Sequence, residues 1–209
     1  MAAVMHPGTE HAGTAGRIGP NAITRVAEVL RERLGADALA RLFGLAGLAG
    51  LAAYVDQPPQ AMVDEAEVTQ LHAVLRASLG AAAAARVARE AGTRTGDYLL
   101  AHRIPKPVQA LLKVMLAPLA ARVLLGAITR HAWTFAGSGA FTAVPGRPVK
   151  LTIRDNPMCR GLTSDVPACD FYAATFERLF RVLVHPRATV VETACEACGD
   201  DACRFELRL

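Results

Sequence analysis

The 209-residue chain is 52% hydrophobic, 20% charged and 5% aromatic, with a formal net charge of +4. That balance excludes a disordered chain and fits one globular domain, with or without an appended helical segment. Up to Arg130 there are 14 basic against 10 acidic residues and beyond it 9 against 9, a mild, scattered excess that, without a helix-turn-helix, zinc-finger or RNA-recognition motif, argues against nucleic acid and for an acidic partner or ligand.

Residues 1–19 are rich in Gly, Ala, Thr and His and read as a loose leader. They hold no cationic start followed by an apolar run, so neither a secretory signal nor a transit peptide is expected and the chain is placed in the cytoplasm. Pro20-Asn21 opens the first helix, whose apolar residues recur at 23, 26, 27, 30 and 34. Gly35-Ala36-Asp37 breaks it, and Ala38 to Tyr54 is read as one helix with Gly44, Gly47 and Gly50 as a close-packing face. Helices over Asp64 to Leu79 and Ala81 to His102 follow the Gln57-Pro58-Pro59 break, and Ile104-Pro105-Lys106-Pro107 ends that run. Val108 to Arg130 completes the helical part, 20–130, with a kink expected at Pro118. Its length suits a membrane span, but Lys113, Pro118 and Arg122 inside it make it a buried or membrane-surface helix, which admits peripheral membrane contact. The apolar run Leu42 to Tyr54 is too short to cross.

At His131 the period becomes alternating. His131, Trp133 and Phe135 are assigned to one face of a strand, and Gly137-Ser138-Gly139 to a turn toward Phe141. Val149, Leu151 and Ile153 alternate with Lys150, Thr152 and Arg154, which predicts a strand with one wet face. Asp165-Val166-Pro167 introduces a helix over 167–184, striped by Tyr172, Phe176, Leu179, Phe180 and Leu183. Thr189 to Cys195 and Cys203 to Leu209 form a closing hairpin across Gly199-Asp200. Residues 131–209 thus make an antiparallel sheet plus helix. The expected fold class is α+β, with 20–209 as one domain in which N-terminal helices pack on a small sheet.

All five cysteines, 159, 169, 195, 198 and 203, fall in the last 51 residues. In a reducing compartment such a cluster reads more readily as a metal site than as a disulfide framework, with buried reduced thiols as the plain structural alternative. Cys195 and Cys203 face each other across the expected hairpin, at a separation suited to two thiolates on one zinc. Cys169, Glu192 and Cys198 are the candidates for the other two ligands. Glu192 meets a geometric objection, because residues three apart on a regular strand point to opposite faces, so its use with Cys195 demands a bulge. Cys169 stands at a helix start, where the dipole favours thiolate. Four protein ligands would make the zinc structural.

The string Val191-Glu192-Thr193-Ala194-Cys195-Glu196-Ala197-Cys198-Gly199-Asp200-Asp201-Ala202-Cys203-Arg204-Phe205-Glu206 resembles the closing hairpin of the 4-vinyl reductase domain family. The chain from about residue 20, with HAWTFAGSGAF at 131–141, resembles the bacteriochlorophyll-biosynthesis members of that family. The resemblance implies the fold of heme-based nitric-oxide sensors and of a vesicle-tethering subunit: helices on a twisted antiparallel sheet, often a homodimer through the helices. It also implies Cys169, Glu192, Cys195 and Cys203 as zinc ligands, with Cys198 an extra thiol that competes with Glu192 for the role.

The family name implies reduction of a vinyl group on a chlorophyll precursor, which needs a hydride or electron source. The sequence offers no Gly-x-Gly-x-x-Gly after a strand and no P-loop, so a non-catalytic tetrapyrrole carrier is favoured over a reductase. In that reading Trp133, Phe135 and Phe141 stack on the macrocycle, His131 ligates magnesium, and Arg94, Arg103 or Lys106 hold propionates. An isolated histidine is more often surface or core than ligand, and such aromatics are more often ordinary core. The protein would carry a magnesium tetrapyrrole such as a divinyl protochlorophyllide to bacteriochlorophyll biosynthesis enzymes. A 4-vinyl reductase, and a small-molecule sensor that docks to a regulator, are the alternatives.

Overall fold

A computed structural model of the chain describes residues 16–209; the first fifteen residues of the expected leader lie outside the described part. Two short strands, Arg17–Ile18 (β1) and Val63–Asp64 (β2), pair antiparallel and bring the start of the described chain onto the helical part. Six helices fill that part: Asn21–Leu34 (α1), Ala36–Leu45 (α2), Glu65–Leu79 (α3), Ala81–His102 (α4), Lys106–Val114 (α5) and Ala117–Arg130 (α6). A single turn, Trp133–Ala136 (α7), leads to the strands Ala140–Val144 (β3) and Val149–Arg154 (β4). Asp170–Leu183 (α8) precedes the hairpin of Thr189–Ala194 (β5) and Cys203–Arg208 (β6). The four strands β3 to β6 form one antiparallel sheet in the order β3-β4-β6-β5.

Alternation sets the faces of this sheet. Val149, Leu151 and Ile153 pair with Leu207, Phe205 and Cys203 and are buried, while Lys150, Thr152, Arg204 and Glu206 face out. Helix α8 is buried on nearly every side, because the sheet lies on one flank and α4 on the other. Phe176 meets Phe205 and Phe141 at ring-centroid distances of 5.9 Å each. On the opposite flank the glycines of α4 allow close approach. A Cβ at Gly96 would stand 2.7 Å from Arg178 Cβ, and one at Gly92 would collide with the Phe171 carbonyl. Thr175 completes the seam by donating its hydroxyl to the Gly92 carbonyl at 3.0 Å.

Three expected elements differ. The helix expected over 38–54 ends at Leu45, because Gly47 takes a left-handed φ of 70°, and a 3-10 helix follows at Ala49–Val55. Gly44 and Gly50 have open space around their Cα positions, so the tight helix contact lies at Gly92 and Gly96 instead. The helix expected over 108–130 is two helices. The helix over Ala81–His102 ends before Ile104-Pro105 as expected, but Pro107 and Pro118 each sit in a first turn, where a missing N–H costs nothing, so Pro118 begins a helix rather than kinking one. The strand expected at His131, Trp133 and Phe135 is a turn followed by α7: Thr134 N–H and Phe135 N–H donate back to the carbonyls of His131 and Ala132. Three alternating residues are too few to separate a strand from one helical turn. The sheet therefore begins at Ala140, after Gly137, whose turn is held by Glu65. That carboxylate accepts from the Ser138 N–H at 2.7 Å, the Ser138 hydroxyl at 2.6 Å and Arg160 at 2.7 Å.

Candidate functional site

Four thiols converge where the start of α8 meets the hairpin. The Sγ atoms of Cys159, Cys169, Cys195 and Cys203 all lie within 4.8 Å of one another, and all four residues are buried. The separations are 3.4 Å for Cys159 to Cys203, 3.5 Å for Cys169 to Cys203, and 3.9 Å from Cys195 to each of Cys169 and Cys203. A tetrahedral zinc with bonds of about 2.3 Å has ligand sulfurs about 3.8 Å apart, so these four separations are compatible with that polyhedron.

Each thiol arrives by a different local device. Cys203 is the inward residue that opens β6, paired with Ile153. Cys195 follows the irregularity between Glu192 and Ala194, the bulge that the strand geometry demanded. Cys169 is the N-cap residue of α8, which begins at Asp170 rather than at 167. Cys159 comes from the loop after β4, where Glu196 accepts the N–H groups of Asp155 at 2.7 Å and Asn156 at 2.8 Å. Asn156, wholly buried, bonds Met158 N–H through its Oδ1 and donates its Nδ2 to Cys169 Sγ at 3.2 Å. Hydrogen bonds from Cys159, Cys169 and Cys203 hold the Cys195 thiol far below its ordinary value. Those from Cys159, Cys195 and Cys203, with burial, push Cys169 well up. Four buried thiols in a tetrahedron, which a metal would deprotonate on binding, are the donor set of a closed, structural zinc site.

Of the ligand set implied by resemblance, the structure brings together Cys169, Cys195 and Cys203 and adds Cys159. Glu192 stands beside the cluster, and its Oε2 accepts the backbone N–H of Cys169 at 2.7 Å. Burial, then the neighbouring Cys195, pushes its carboxyl up to about 9. Cys198 is exposed, in the 3-10 turn Glu196–Cys198. No spacing motif links Cys159 to the hairpin; its place in a cluster of five cysteines was the only sequence signal for it.

The expected tetrapyrrole residues are not brought together. Phe135 and Phe141 turn inward and pack on each other at 5.2 Å and on Phe176, as core. Trp133 is 61% exposed. His131 is exposed, and its Nδ1 lies 2.8 Å from the Ala127 carbonyl. Arg94 is held by Glu32 and Glu90, Arg103 lies over the Tyr98 ring, and Lys106 begins α5. The short helical turn at 133–136 sends successive side chains in different directions, which disperses a set that needed a strand.

A cavity of about 800 Å³ opens elsewhere, between α6, the β3–β4 turn and the ends of α8 and β6. Its apolar wall includes Ala121, Leu125, Val149 and Leu207, and its polar groups are Arg122, Arg147, Arg208 and His185. Among the described residues Arg122 and Arg147 pair with no carboxylate, whereas Arg208 has Glu206 at 3.2 Å. His185 Nδ1 accepts from Arg187 N–H at 3.3 Å, which places the proton of the neutral ring on Nε2 and makes His185 a donor to a ligand. In the sequence Arg122 signals only an interruption of an apolar helix, and Arg147 carries no motif beyond its Pro-Gly-Arg-Pro turn.

The chain is 48% identical over 193 residues to the "Bacteriochlorophyll synthase 23 kDa chain" of Cereibacter sphaeroides, covering 92% of this chain and 91% of that one. It belongs to the family of bacteriochlorophyll synthase 23 kDa chains. The Rhodobacter capsulatus protein of the same description is 41% identical over 191 residues, 91% of this chain and 86% of its own. Residues 149–209, which hold all four clustered thiols, match the V4R domain family. Among solved structures, the Fe(II) unliganded H-NOX protein from K. algicida superposes with a TM-score of 0.59 at 10% identity over 91% of this chain and 96% of that one. A point mutant of that H-NOX protein gives 0.58 at 11% identity, with the same coverage. This member of the family thus has the α+β fold of the H-NOX proteins.

Proposed function

We propose that the protein acts in bacteriochlorophyll biosynthesis by binding a magnesium tetrapyrrole intermediate, such as a divinyl protochlorophyllide, and presenting it to pathway enzymes. The family supports the pathway. The observation that carries the ligand is the cavity beside α6, because its volume and chemistry suit a flat apolar disc bearing carboxylates. Leu125, Val149 and Leu207 shield the macrocycle from water, while Arg122 and Arg147 meet carboxylate oxygens with forked, permanently charged donors. The Nε2–H of His185 is available to a carbonyl or ester oxygen on the ring periphery. Delivery follows from differential burial: the disc stays until a partner offers a drier site.

In this account the thiol tetrahedron holds a structural zinc that fixes β5 and β6 against the start of α8. The zinc takes no part in ligand chemistry, since four protein sulfurs leave no open position.

The test is an absorption titration of the purified protein with divinyl protochlorophyllide, with and without a reduced nicotinamide. A saturable band shift with the vinyl group intact is expected. Stoichiometric vinyl loss coupled to donor oxidation would replace the carrier by a reductase, and no spectral response in either condition would remove both.

A further inference from the structure

Helices α5 and α6 carry an apolar face that no described residue covers. On α5, Val108, Leu111 and Val114 recur every third residue and are exposed, while Gln109 and Leu112 on the other side are buried. Leu116 in the break and Leu119 and Val123 on α6 extend the exposed set, while Ala120, Ala121, Leu124 and Leu125 face the core. The most exposed pair, Val114 at 83% and Leu116 at 79%, sits at the turn between the two helices.

The charge of this region is one-sided. None of the 19 acidic residues lies between Asp97 and Asp155, whereas that interval holds eight Lys and Arg, among them Lys106 and Lys113 on α5 and Arg122 and Arg130 on α6. A second copy on this face would bring like charges together, and a neutral apolar partner would leave them without counter-charge. Interleaved apolar and basic side chains, with no acidic group among them, match the interface of an anionic bilayer. There apolar residues enter the acyl boundary and Lys and Arg extend to headgroup phosphates. No helix among the described residues is long and apolar enough to cross a membrane, so contact would be along the surface.

We infer that the α5–α6 face docks the protein on an anionic lipid bilayer, with the turn at Val114–Leu116 inserted and Lys106 and Lys113 around it on the phosphates. The cavity wall shares α6 through Ala117, Pro118, Ala121 and Arg122, so a bilayer-seated protein holds its cavity beside the lipid. The docking itself stands whether or not that cavity takes a pigment.

The test is sedimentation of the full chain with vesicles of phosphatidylglycerol and phosphatidylcholine against vesicles of phosphatidylcholine alone. Binding is expected only to the anionic vesicles, and it falls at least about tenfold between about 0.05 M and about 0.5 M salt as screening shortens the reach of the charges. The double variant Val114→Asp/Leu116→Asp lowers partitioning at least about tenfold, since it replaces apolar insertion with charge repulsion. Its melting temperature and its tetrapyrrole titration in solution stay those of the parent, which separates failure of docking from failure of the carrier reading. Absent binding to anionic vesicles, equal binding to neutral ones, or a variant that binds like the parent would overturn the inference. So would a parent dimer that the variant dissociates without any vesicle binding, which would make the face an interface between copies.

Discussion

Glu192 Oε2 accepts the backbone N–H of Cys169 at 2.7 Å, so a carboxyl group on the β5 strand clamps the N-cap residue of α8 whose thiol stands in the cysteine tetrahedron. Glutamine offers the same acceptor. Glu192→Gln is therefore expected to keep its metal content, while Glu192→Ala costs about 1–3 kcal/mol by leaving a buried N–H unpaired. Metal analysis beside a denaturant titration checks both, and loss of zinc in the glutamine variant would make Glu192 a ligand.

One zinc per chain is expected after metal-clean purification. Serine at Cys159, Cys169, Cys195 or Cys203 removes it and lowers stability by about 3 kcal/mol or more, whereas Cys198→Ser leaves content and melting temperature unchanged. The decisive comparison is Cys159→Ser against Cys198→Ser, measured by elemental analysis and thermal melts.

The α4–α8 seam has no room for a methyl group at Gly92 or Gly96. Gly92→Ala meets backbone and is expected to cost about 2–3 kcal/mol. Gly96→Ala meets the Arg178 side chain, which can swing away, and costs less. Urea midpoints at unchanged m-value measure the difference, and equal stability of the two variants would contradict this packing.

His72 sets an acid limit. Burial holds its imidazole down at about 4 against an ordinary 6.5, and its Nε2 has no partner among the described residues. Between pH 6.5 and 4 the unfolded chain takes up a proton that the folded one refuses. The folded state loses about 3 kcal/mol across that window from this residue alone. His72→Leu is expected to flatten that limb of the stability profile, as followed by denaturant titrations at stepped pH.

Strand β4, α8 and the closing hairpin are legible because alternation and a five-residue apolar stripe each admit one reading, whereas β3 gives no such signal. The elements misread, 38–54, 108–130 and 131–135, turn on Gly47, on two first-turn prolines and on a run too short to show a period. The cysteine cluster was legible as a cluster. Its fourth thiol was not, since Cys159 joins through a loop held by Glu196 and Asn156, a tertiary contact that no local spacing encodes. The cavity was hidden for the same reason, because its arginines come from α6, the β3–β4 turn and the chain end.

Binding of divinyl protochlorophyllide as the free acid and as its methyl ester, to the parent and to Arg122→Ala/Arg147→Ala, tests the central claim most directly. If the two guanidinium groups hold the carboxylate in the α6 cavity, the parent prefers the acid by at least about tenfold and the variant binds both forms alike. A variant that keeps the parent's affinity and preference would place the ligand elsewhere and contradict the account.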